Sequence, residues 1–114
     1  MGKLSWTDMI EFYPTGHLVV GNVIGSTAIA SSFLVLKLLR GCGVKADYSH
    51  TTVKEANGPV IHCVFADKAD ADRFSVAVDA RPAGKYPGWA SQRAFFIDEG
   101  TRRAIPDVFD AAPL

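Results

Sequence analysis

Residues 18–39, LVVGNVIGSTAIASSFLVLKLL, constrain this chain more than any other stretch. An apolar, β-branched run meets Gly21 and Gly25 and passes into a segment that is hydrophobic almost all the way round. A strand that is continuously apolar rather than alternating is buried on both faces. A helix that is apolar around most of its circumference needs cover on more than one side. The segment therefore predicts a strand–turn–helix unit at the centre of a layered domain, with surface left over for association. Its length would suit a membrane span, which takes about 20 apolar residues. Asn22, Lys37 and the hydroxyls of Ser26, Thr27, Ser31 and Ser32 would be costly in lipid, and the two glycines break the run, so no span is expected.

Around this unit the remaining elements follow from turn residues and periodicity. Ser5 before Trp6-Thr7-Asp8 is a capping signal for a short helical turn carrying Met9, Ile10 and Phe12, which Pro14 and Gly16 end. A strand covers His17 to Ile24, Ser26 caps the helix, and Gly41 supplies its left-handed end. Residues 46–54 alternate and are rich in Thr, Tyr and Val, and 59–66 form the returning arm of a hairpin. Asn57-Gly58 signals a two-residue loop, but Pro59 has no N–H to close it, so a longer connection is expected. Asp67 caps a helix over 68–80 with Ala71, Phe74 and Val78 inward. Residues 81–91 read as a Gly/Pro-rich loop, 93–98 as a final strand, and 100–114 as a tail.

The order β-α-β-β-α-β predicts an α+β, two-layer, ferredoxin-like antiparallel sheet with two helices on one face. One domain fills residues 1–114, with its core at about 17–98 and terminal extensions over 1–16 and 99–114. Twelve acidic and twelve basic side chains leave a net charge of zero, so charge-driven nucleic-acid binding is not supported. Two cysteines make no disulfide framework, and no apolar leader is present at the N-terminus, which predicts a cytoplasmic setting.

Chemistry-bearing residues are sparse. His50 and His62 lie on adjacent hairpin strands, and an odd-membered loop would bring them to one face with Tyr48 nearby. They form the candidate ligand site, and no third metal ligand is placed by spacing, so no metal or cofactor is expected. Cys63 reads as core packing with Ile61 and Phe65. Cys42, beside a helix C-terminus, has its thiolate disfavoured. The Gly21–Thr27 turn lacks the spacing and lysine of a phosphate loop. Asp67, Asp70 and Asp72 suit a helix N-terminus and do not match a calcium loop.

Two surfaces point to binding. On the long helix Ala28, Val35 and Leu39 face the sheet, while Phe33 falls on the stripe of Lys37 and Arg40, a face too poor in charge to stand in water alone. Either the tail, through Ile105, Val108 and Phe109, or a partner would cover it. The 81–93 loop interleaves basic and aromatic residues, Arg81, Lys85, Tyr86, Trp89 and Arg93, and arginine and aromatic residues are enriched at interface hot spots. The expectation is a small non-catalytic domain that binds a protein partner or forms a homodimer through Phe33, Lys37, Tyr86, Trp89 and Arg93. The alternatives are a small-ligand site or modest enzyme on an open sheet face with Tyr48, His50 and His62, and single-stranded nucleic-acid binding by the loop.

Overall fold

The structure is a computed structural model that describes residues 3–23, 28–56 and 58–97, and along 28–33 the backbone alone. The predicted turn at Gly25-Ser26, the side chains of Ala28 and Phe33, and the tail with Ile105, Val108 and Phe109 lie outside the described residues.

Eight elements follow one another: α1 (Trp6–Phe12), β1 (His17–Val23), α2 (Ala28–Gly41), β2 (Tyr48–Glu55), β3 (Gly58–Phe65), α3 (Lys68–Val78), β4 (Arg81–Pro82) and β5 (Ser91–Ile97). Their ends obey local chemistry. The Ser5 hydroxyl accepts from the Asp8 N–H at 3.2 Å and opens α1. The Asp67 carboxylate accepts from the Ala69 N–H at 3.0 Å and opens α3. α3 stops at Asp79, which takes the left-handed conformation at φ 55°, one that Asp tolerates better than most side chains. α2 runs through Gly41, and the positive φ that follows is at Gly43, not at Gly41 as expected.

The five strands form one mixed sheet in the order β2-β3-β1-β5-β4. β1 and β2 flank β3, each antiparallel to it, with α2 crossing between them. The antiparallel ferredoxin-like sheet does not extend to the last strand: β5 lies parallel to β1. The reason is the two-residue strand β4. After α3 the chain reaches the sheet's far edge in the direction expected of a fourth strand, but only Arg81 and Pro82 pair there. Pro82 has no N–H to donate, and the loop over 83–90 turns the chain back. The longer, more apolar strand Ser91–Ile97 then slots between the edge and β1, running the opposite way.

The hairpin also differs from expectation. Glu55 pairs with Gly58, leaving residues 56–57 as a two-residue connection. Pro59 sits opposite Lys54, one step inside the closing pair, so its missing N–H does not prevent a tight turn. Gly58, at φ 120°, takes the backbone conformation the turn needs.

α2 and α3 cover one face, where Leu34, Val35, Leu38, Leu39, Phe74 and Val78 bury against Val19, Ile61, Cys63, Phe65, Phe95 and Ile97 of the sheet. Gly21 makes this packing possible: a Cβ there would lie 2.9 Å from Ile97 Cδ1 and from Phe95 Cζ. The opposite face is not open: Tyr86 and Trp89 of the 83–90 loop pack over Leu18, Val20 and Val60, and Trp6 of α1 meets His62. Helices therefore flank both sides of the sheet. Asp70, fully buried at the start of α3, accepts from the Lys45 and Ala46 N–H groups at 3.1 and 2.9 Å and pairs with Arg73, which fixes the α2–β2 connection to α3.

Candidate functional site

Register decides which of the chemistry-bearing residues meet. His50 pairs with Cys63, whereas His62 pairs with Thr51 and Val20, so the two imidazoles project to opposite faces. An even-membered connection separates them, and they cannot share a ligand. Tyr48 and His50 lie on the helix side of β2, two residues apart. Burial lifts the Tyr48 hydroxyl above its ordinary range and pushes the His50 imidazole below its own. The described residues place no three histidine, cysteine or carboxylate side chains where they could hold one metal ion.

On the other face His62 is the centre of an aromatic cluster. The Tyr86 ring meets it edge-on with centroids 4.8 Å apart, and the Trp6 ring does so at 6.3 Å. Tyr86 donates its hydroxyl to Glu55, and Lys85 donates to the same carboxylate at 2.6 Å. These two donors hold the Glu55 carboxyl below its usual range. Burial first, then the Glu55 contact, raises the Tyr86 hydroxyl. The Gln92 side chain brackets the Tyr86 backbone, its Oε1 accepting from Tyr86 N at 2.7 Å and its amide donating to Tyr86 O. Trp89 packs half-buried on the cluster of Leu18, Val20 and Val60. Tyr86 and Trp89 thus fasten the loop to the sheet.

Arg93 does not join them. It points to the helix side of β5 and pairs with Asp72, which also takes Lys68 at 3.0 Å. Lys37 is half-buried on α2. Of the patch read from the loop, Arg93 therefore lies on the opposite face of the sheet from Tyr86 and Trp89, and on the separate helix surface read with Lys37 the Phe33 side chain lies outside those described.

Neither cysteine is an activated nucleophile. Complete burial raises the Cys63 thiol far above its ordinary range, and burial is also the largest cause of the rise at Cys42. Cys42 donates to the Leu39 carbonyl at 3.5 Å, a contact that closes the end of α2.

The residue that sequence reading missed is Phe96. It is 61% exposed on β5 and stands between two clefts. One, of about 390 Å³, lies at the sheet edge between Val78 of α3, Pro82 of β4 and Ala94 of β5. The other, of about 260 Å³, lies at the hairpin corner between Asn22, Glu55, Pro59 and Lys85. Phe12 and Val76 are also exposed, but no cleft among those described is lined by either. The signal for Phe96 was present in the sequence as Phe95-Phe96: adjacent strand residues take opposite faces, so only one of the two can enter the helix-side core.

No helix among the described residues is long and apolar enough to cross a membrane. No protein-family model matches the chain, and no curated protein and no solved structure matches it significantly.

Proposed function

We propose that this chain is a small non-catalytic interaction domain, which binds a protein partner or a second copy of itself as a dimeric module, an adaptor or an inhibitor. The observation that carries this reading is Phe96, an exposed aromatic side chain on a rigid strand with a cleft on either side. Aromatic anchors flanked by pockets are the usual centres of protein interfaces. Arg81 and Lys85 stand beside the two clefts and would form a polar rim. The Phe33 and Lys37 surface of α2 serves in this reading as a second contact. The local chemistry is consistent with it: the described thiols are not activated, and the two buried histidines are separated by the sheet.

Sedimentation across a concentration series, together with retention of partners on the immobilised protein, tests the reading with Phe96→Asp as the variant. The wild type is expected to associate with itself or to hold a partner in stoichiometric amount. The variant should lose that association with its circular dichroism and melting temperature intact. A wild type that stays monomeric and retains nothing, or a variant that associates as before, overturns the reading.

A further inference from the structure

The two elements that cover the sheet opposite α2 and α3 converge on one imidazole. His62, 9% exposed, rises from β3 with Trp6 of α1 on one side and Tyr86 of the 83–90 loop on the other. Its Nε2 is buried and has no hydrogen-bond partner among the described residues. Among the described residues, the charged and titratable groups that face it are few. From β2 comes Glu55, and from the loop come Lys85 and the Tyr86 hydroxyl. α1 presents the Trp6 indole, β1 presents Val20, and β2 presents Thr51 beside it. Glu55 already accepts from both Lys85 and Tyr86, so its charge is engaged elsewhere.

A proton on His62 would create a cation enclosed between two T-stacked aromatic rings, with no acceptor at Nε2 among the described residues. A buried, uncompensated charge is expensive, and opening the cover to water relieves it. The imidazole accordingly titrates below its ordinary 6.5, burial being the first cause. The cover is the slighter of the two layers, a seven-residue helix and a loop, and among the described residues the sheet face beneath it buries four apolar side chains, Leu18, Val20, Val60 and Val64, against six under α2 and α3.

We propose that His62 is a proton-operated latch, whose protonation in mildly acidic solution releases α1 and the 83–90 loop and uncovers Leu18, Val20 and Val60 while the helix-side core stays folded. This does not depend on what the protein binds at Phe96.

The chain has two tryptophans, Trp6 and Trp89, and both sit on the cover, so their emission reports its state. Emission and far-ultraviolet circular dichroism are followed together as pH is lowered from about 7.5 to about 4.5, a range spanning the histidine titration. The expected result is a red shift of emission at a pH where the dichroism is still native. His62→Phe should abolish that shift, and His50→Phe, which removes the other buried imidazole on the helix side, should leave it in place. Emission and dichroism changing together, no red shift at all, or an unchanged shift in His62→Phe would overturn the proposal. Should His62→Phe not fold, nuclear magnetic resonance of the wild type decides. The His62 ring signals and the two indole N–H signals must then titrate with one midpoint, and separate midpoints refute the latch.

Discussion

Asp70 is the residue on which the helix layer turns. Its carboxylate is fully buried, takes two backbone N–H groups from the α2–β2 connection, and pairs with Arg73 one turn along α3. Replacing it by Ala would leave two buried donors without acceptors, each costing about 1–3 kcal/mol. Asp70→Ala is therefore expected to lower the unfolding free energy by about 3 kcal/mol in urea denaturation, with Asp67→Ala, an ordinary helix cap, costing nearer 1 kcal/mol. Both residues read from sequence as acids suited to a helix N-terminus, which is where α3 places them. What sequence could not supply is the partner of Asp70. Periodicity reports which face of a helix is inward, but the loop that reaches that face lies 24–25 positions earlier in the chain. The inward sets Ala71, Phe74, Val78 and Ile61, Cys63, Phe65 were legible for the same reason: apolar spacing carries them.

The loop over 83–90 behaves as an element, though it has no regular structure. It is tied at Tyr86 to Glu55 and Gln92, at Lys85 to Glu55, at Ala83 and Ala90 by backbone hydrogen bonds of 3.1 and 3.0 Å, and at Trp89 by burial. Truncating Trp89 to Ala removes most of its apolar cover over Leu18 and Val20. A loss of about 2 kcal/mol is expected, below the 3–5 kcal/mol of a fully buried Trp because the ring is only half-buried. Thermal melting monitored by circular dichroism checks this, with Pro87→Ala, at an exposed position, as a control that should stay near the wild type. The direction of β5 was hidden from sequence because a two-residue strand shows no alternation, so β4 passed as loop. The hairpin register was hidden for a related reason. One residue of slip in the turn exchanges the faces of His50 and His62, and residue types alone do not fix it.

At the scale of the whole molecule, two buried imidazoles make stability depend on pH. His50 and His62 both have folded-state pKa values depressed by burial, below the ordinary 6.5 that applies once the chain unfolds. The unfolded state binds protons first, so stability is fully present above about 6.5 and declines as pH falls through that value toward the folded-state pKa values. Glu55 and Asp72, held low by Lys85 and Lys68 respectively, add a second loss further down, as pH falls through their own depressed values. Urea midpoints are expected to fall steadily between about pH 7.5 and about pH 5, and replacing either histidine by Phe should flatten the slope. The molecule's α+β composition and its β1-α2-β2 crossover were legible in element order, whereas the cover on the second face, assembled from two stretches without strong periodicity, was not. The insertion of β5 beside β1 carries one last consequence, for biogenesis. β1 is synthesised well before residues 91–97, the strand that satisfies its second hydrogen-bonding rim. Until those residues appear, a nascent chain displays an unpaired strand edge flanked by apolar side chains, the kind of surface on which chaperones act and inclusion bodies begin.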